Sequence, residues 1–148
     1  SDSKRLNIDI NTTNARLRTL VSNLSDGVLL ENEHRTIEII NRRFCELFGI
    51  DVIPEELYGA DCSQAAEQSK HLFVDEQGFV DRITELLLTR RQVFGDELEL
   101  KDGRWFDRDL MPIYRDDTYL GHLRVYTDIT ERKRHNSALR QQRRQEPM

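Results

Sequence analysis

In Arg124-Val-Tyr-Thr-Asp-Ile-Thr-Glu-Arg-Lys-Arg134 two residue periods meet. Leu123, Val125, Thr127 and Ile129 alternate with Arg124, Tyr126 and Asp128, the two-residue period of a strand with one buried face. The apolar set is expected to be that buried face. From Glu131 onward Glu, Arg, Lys, Gln and Ala continue without glycine or proline before Pro147, a composition that favours helix. Asp128 and Thr130 can accept hydrogen bonds from a first helical turn, and Asp128 with Glu131 has the spacing of a capping box. A last strand is therefore joined to an exiting helix with almost no slack, so movement of the sheet can pass along that helix.

Asp128-Ile-Thr-Glu-Arg-Lys133 resembles the C-terminal boundary of PAS domains, the small sensory modules of bacterial signalling proteins. A second stretch, Ile40-Asn-Arg-Arg-Phe-Cys-Glu-Leu-Phe-Gly49, is similar to the strand-to-helix step of the same family. Asn41 is expected to cap a helix carrying Phe44, Leu47 and Phe48, and Gly49 to end it in a left-handed conformation.

The elements between these stretches run in the order helix, two strands, several short helices, a longer helix, three strands, helix. Val28-Leu-Leu30 and Ile37 to Ile40 flank the polar turn Asn32-Glu-His34 and form a hairpin. Pro54 to Gly59 reads as one helical turn and Ala60 to Lys70 as a short helix. Phe79, Val80, Ile83, Leu86 and Leu87 mark the face of the longest internal helix. Asp102-Gly103 signals a two-residue hairpin before Arg104 to Tyr114. Adjacent Trp105 and Phe106, with Pro112, predict a bulge or an edge in that strand. Consecutive hairpins imply an antiparallel sheet with the middle helices on one face, an α+β domain. The resemblance further implies five strands in the order two, one, five, four, three, flanked by N-terminal and C-terminal signalling helices. The expected division is an N-terminal amphipathic helix over 1–24, a PAS domain over 25–130 and a linker helix over 131–148.

The 148 residues suffice for one domain with a single core and short extensions. Charged residues reach 33% against 37% apolar, with a net charge of −5. Part of the chain should therefore be solvated helix, and nucleic acid is not an expected partner. The basic cluster from Arg132 to Arg144 reads as a solvated helix face. No apolar run approaches the roughly 20 residues needed to span a bilayer, so no membrane contact is expected in this chain and a cytoplasmic location is. Cys45 and Cys62 are read as reduced thiols. Leu6, Ile10, Thr13, Leu17, Leu20 and Leu24 are spaced four, three, four, three, four. That heptad seam predicts a homodimer helix centred on Leu17, Leu20 and Leu24.

No stretch carries a catalytic constellation, a phosphate loop or a metal motif, and the domain is not expected to be an enzyme. Two residues are cofactor candidates through the resemblance. Cys62 in Gly59-Ala-Asp-Cys62 is similar to the start of the Gly-x-Asn-Cys-Arg-Phe-Leu-Gln motif of flavin-binding PAS domains, but Ser63, Gln64, Ala65 and Ala66 then depart from it. His71 lies where haem-binding members place an axial ligand, which needs an apolar slot, yet Glu67, Gln68, Ser69 and Lys70 precede it. The expectation is therefore no cofactor, with haem or flavin as the alternative. His34, His122 and His135 read as surface or internally satisfied residues. Phe79, Ile83, Leu87, Leu98, Met111, Leu123 and Val125 are expected between helices and sheet, as core or as the lining of a small-molecule site. Asp128 and Thr130 are the expected signal relay. The whole reads as a sensory, relay and dimerisation module coupled to an output domain in the same polypeptide, first a histidine kinase and next a diguanylate cyclase.

Overall fold

A computed structural model describes residues 24–145, with side chains to residue 139. Strands β1 (Gly27–Asn32), β2 (Ile37–Ile40), β3 (Val93–Glu99), β4 (Trp105–Arg115) and β5 (Thr118–Asp128) form one antiparallel sheet. Their order is β2-β1-β5-β4-β3, the arrangement the family resemblance implies. Between β2 and β3 lie α1 (Arg42–Phe48), α2 (Pro54–Leu57), α3 (Ala65–Ser69), a single 3₁₀ turn (Lys70–Leu72) and α4 (Glu76–Thr89). Helix α5 (Thr130–Gln145) comes after β5, separated from it by Ile129 alone.

Local chemistry explains the joints. Asn32 Oδ1 accepts from the backbone N–H groups of His34 and Thr36 at 2.8 and 3.1 Å, which closes the β1–β2 turn. Asn41 Oδ1 caps α1 through Phe44 N at 3.0 Å and also accepts from Val28 N at 2.9 Å. The cap thus fixes the helix to β1 as well as starting it. Gly49 ends α1 at φ 67° with its N–H turned back to the last carbonyls. Asp75 caps α4 through Gly78 N at 2.9 Å. Paired bridges at Thr36–Asp61 and Phe73–Leu100 fasten the helical connection to the sheet.

The helices cover one face of the sheet, where Phe44, Phe48, Phe73, Phe79, Phe106 and Tyr126 are buried together. Phe73 and Phe79 stack with centroids 4.0 Å apart, and Phe44 and Phe48 at 4.5 Å. Tyr126 meets Phe48 edge-on at 4.9 Å. Such aromatic pairs add specific geometry to the large area they bury.

Three expectations are corrected. The helix read over Ala60 to Lys70 is only Ala65–Ser69 plus the 3₁₀ turn. The β3–β4 hairpin has a three-residue loop, Lys101-Asp102-Gly103, with Leu100 N bonded to Arg104 O at 2.9 Å and Gly103 at φ 95°. That geometry places glycine at the left-handed third position, and not in a two-residue turn. Leu24, expected as the last position of the dimer seam, is the first described residue and is half exposed in the single chain. Leu17 and Leu20 lie outside the described residues.

The third correction concerns the buried face of β5. His122, Arg124 and Tyr126 are buried against the helices, while Leu123, Val125 and Thr127 are half-exposed on the opposite face. Register fixes this assignment, since Arg124 stands between Leu29 of β1 and Leu110 of β4, and Tyr126 between Gly27 and Arg108. A strand interior to the sheet has two partly covered faces, and the larger side chains took the helical side. The bulge expected near Pro112 is present, with a register shift between Ile113 and Tyr114. Pairing of β3 with β4 reaches only Leu110, so Pro112 lies where β4 has become an edge.

Candidate ligand cavity and the β5–α5 joint

A cavity of about 380 Å³ lies between the sheet and α1, α3 and α4. Its walls are mainly apolar and include Leu29, Ile40, Phe44, Phe48, Phe79 and Ile83. Arg124, Tyr126, Cys62 and His71 also line it. The volume falls at the lower end of the range typical of small-molecule sites. Of the expected lining residues, Phe79 and Ile83 are there. Leu87 and Leu98 pack half-buried against the core without reaching the cavity. Met111, Leu123 and Val125 are on the far face of the sheet, Met111 paired with Leu123 and Asp109 with Val125. They do not line the space between helices and sheet.

A buried ionic cluster borders the cavity. The side chain of Glu31 is fully buried, its Oε1 accepting from Arg124 Nη2 at 2.5 Å and its Oε2 from Arg35 Nε at 2.6 Å. His122 Nε2 stands 3.2 Å from Glu31 Oε2, and His122 Nδ1 is 2.7 Å from the Tyr119 hydroxyl. The ring of Tyr119 in turn carries the Arg90 guanidinium at 4.0 Å. Burial opposes ionisation of Glu31, but Arg124, with His122 and Arg35, outweighs it and holds the carboxyl well below the usual carboxylate range. Arg35 also donates to Cys62 O at 2.9 Å, so the cluster fixes the backbone beside the cysteine.

Cys62 is buried and free. Burial, reinforced by the Glu31 charge and a side-chain hydrogen bond to Glu31, pushes its thiol up to about 12. At neutral pH it is a protonated thiol facing a carboxylate. His71 stands on the 3₁₀ turn with an exposed side chain. The residues after Cys62, Ser63-Gln-Ala-Ala66, depart from the flavin motif, and His71 is solvent-exposed where it meets the cavity. Among the described residues no group of His, Cys, Asp or Glu is arranged to hold a metal ion.

Sequence reasoning missed Arg124 and His122 because they alternate with the apolar Leu123 and Val125, and missed Glu31 because the uniformly apolar run Val28-Leu-Leu30 before it marks no face. A usable signal was present in β4. Asp107 and Asp109 alternate with Phe106 and Leu110, which orients that strand, and antiparallel pairing then carries the orientation to β5.

The joint between β5 and α5 differs in detail from a capping box. Asp128 Oδ1 accepts from Thr130 N at 2.9 Å and from the Thr130 hydroxyl. Glu131 pairs with Arg134 at 3.6 Å. Thr130 Oγ1 accepts from Trp105 N at 3.1 Å, and Ile129 N donates to Trp105 O at 2.9 Å. The helix start is thus stitched to β4. Lys133 forms an ion pair with Glu97 and lies 4.5 Å from the Trp105 ring centroid, adding β3 to the anchor. Trp105 and Glu97 were not legible as partners of the exit helix, since both lie far upstream of Lys133 in sequence.

With five strands in this order, helices on one face and a cavity beneath them, the architecture is that of a small sensory domain. A family model described as the PAS fold matches residues 21–134, and the chain belongs to that family. It is similar to the PAS domain of a Colwellia psychrerythraea protein at 21% identity, covering 82% of this chain and 98% of that one, with a TM-score of 0.53. The PAS domain of Bordetella pertussis BvgS is similar at 18% identity over 91% of this chain and 98% of that one, with a TM-score of 0.56. A Vibrio cholerae sensory box sensor histidine kinase is similar at 15% identity over 83% and 97%, with a TM-score of 0.52. No curated protein matches the chain. The PAS fold is not itself catalytic. Among the described residues no helix is long and apolar enough to cross a membrane.

Proposed function

We propose that this PAS domain senses and relays within a larger signalling protein, first a histidine kinase and next a diguanylate cyclase. It would pass movement of the sheet to an output domain through α5. One observation carries the reading. Arg124 and Tyr126 of β5 line the cavity, and the same strand enters α5 with only Ile129 between them. A change at the cavity wall therefore reaches the exit helix along a single strand. The departure from the flavin motif after Cys62 and the exposure of His71 favour a domain without flavin or haem, and a cytoplasmic location belongs to the same reading.

Replacing Asp128 and Thr130 together by Ala tests the relay. Each loss should cost roughly 0.5 to 2 kcal/mol locally, and Thr130→Ala also strips the acceptor from Trp105 N–H. The domain, with a stability of about 5 to 15 kcal/mol, should survive while the start of α5 frays. Hydrogen exchange read by mass spectrometry should quicken over residues 131–139, with protection unchanged in Ile37–Ile40. In the longer parent, output or its response to stimulus should change. An undisturbed helix, or a parent that signals normally, would remove the basis for the relay.

A homodimer is part of the proposal and rests on the Leu6 to Leu24 seam. Leu17→Asp with Leu20→Asp should shift sedimentation from dimer to monomer without unfolding the domain, each leucine contributing about 1.5 to 3 kcal/mol when buried. A wild-type chain already monomeric at high micromolar concentration would rule out the seam as a dimer contact.

A further inference from the structure

Arg124 is only 4% exposed and lines the cavity, yet its donors are incompletely used. A guanidinium carries five N–H donors. Here Nη2 serves Glu31, Nη1 reaches the Tyr126 hydroxyl at a long 3.4 Å, and Nε finds no acceptor among the described residues. A buried charged donor without an acceptor is costly, and native structures normally meet it with water or a ligand. The Tyr126 hydroxyl, accepting from Arg124, keeps its own hydrogen for a further acceptor.

Charge on this wall is balanced: two guanidiniums, Arg35 and Arg124, contact the carboxylate of Glu31, and Asp61, which lines the same wall and interacts with Arg35, supplies the second negative charge. Asp61 spends its oxygens on Ser63 N at 2.9 Å and the Ser63 hydroxyl at 3.1 Å, so it leaves the free donor of Arg124 unmatched. The rest of the cavity is largely hydrocarbon and aromatic. A cation would meet the unpaired N–H of Arg124, and a phosphate would find too few donors for its oxygens. A carboxylate has two oxygens for the Nε–H and the Tyr126 O–H, and its apolar body suits the remaining walls.

We propose that the cavity takes a small organic acid, its carboxylate held by Arg124 and Tyr126 and its hydrocarbon body against Phe44, Phe48, Phe79 and Ile83. The ligand class rests on the reading of the domain as a sensor. It is the input that this reading lacks: an anion at Arg124 competes with Glu31 for the guanidinium and so bears on the Glu31–His122–Tyr119 chain and on β5 itself.

The test compares matched head groups on two bodies in the full chain: octanoate, octan-1-ol and octylamine, and phenylacetate with 2-phenylethanol. Calorimetry should show at least one acid binding about tenfold tighter than its alcohol, as an added charge-assisted hydrogen bond implies, and octylamine weakest. The same acid should move the Arg124 Nε–H resonance in a nitrogen-15 NMR spectrum. Tyr126→Phe, which keeps the ring, should lose part of the preference for the acid. Arg124→Gln, if its circular dichroism is that of a folded domain, should lose nearly all of it. Equal affinity for acid and alcohol, an unmoved Arg124 resonance, or no binding of either acid at millimolar concentration would overturn the proposal. The exchange experiment on the Asp128 and Thr130 variant needs no ligand, so coupling that survives while acid preference fails would refute the ligand class alone.

Discussion

Glu31→Ala should destabilise the domain by about 3 to 5 kcal/mol, because it leaves Arg124 as a buried charge without its partner. The Glu31 side chain is fully buried and takes hydrogen bonds from two arginines, and Arg124 is itself only 4% exposed, so water replaces the lost partner poorly. Urea unfolding followed by circular dichroism would measure it. Pairing the change with Arg124→Met should restore much of the stability, since an apolar side chain of similar length suits the same walls. A single variant as stable as the wild type would show that the cluster carries no structural weight.

The pH dependence comes from the direction in which the Glu31 carboxyl is moved. Arg124 and its neighbours hold it below the ordinary range, so its contribution is fully present above the usual glutamate value of about 4.3 and is lost as pH falls below it. The stability gap between wild type and Glu31→Ala should therefore be constant near neutrality and should narrow on acidification. A gap that widened in acid would contradict the assignment.

Gly121→Ala is expected to be as severe, at about 4 kcal/mol or more, a size reserved for mutations that force backbone apart. A Cβ there would stand 2.0 Å from Glu31 O and 2.7 Å from Asn32 Cα, and the residue has φ +133°. Neither contact can be relieved by a side-chain rotation, because both atoms are backbone of β1. Separation of β1 from β5 at this point would also move Glu31, whose partner across the strands is His122. Gly95→Ala supplies the comparison. Gly95 has φ +78° with nothing near its Cβ position, so only the cost of a left-handed residue, roughly 1 to 2 kcal/mol, applies. Similar melting temperatures for the two variants would mean that the strands part easily at Gly121.

The joints of the fold were legible because they depend on neighbours in sequence. Asn41 and Gly49 bracket α1 as their side-chain and backbone chemistry requires, and Asp128 with Thr130 marks the start of α5. In the cavity, Phe79 and Ile83 were legible from helical periodicity. Met111, Leu123 and Val125 were misplaced because alternation reports that a strand has two faces without saying which of them the helices cover.

The sequence by itself determined the order of elements, the family and the caps that start and stop helices, since each depends on side chains within a few residues of one another. Only the tertiary structure decided what the cavity offers. Glu31 and Arg124 are 93 residues apart, and nothing local shows that one strand pair will bring them together or that His122 and Tyr119 will extend the contact. A charged residue on a strand is assigned to solvent until its cross-strand partner is known. Here Glu31 and Arg124 are mutually buried, so their charges persist inside the domain, and Arg124 faces the cavity.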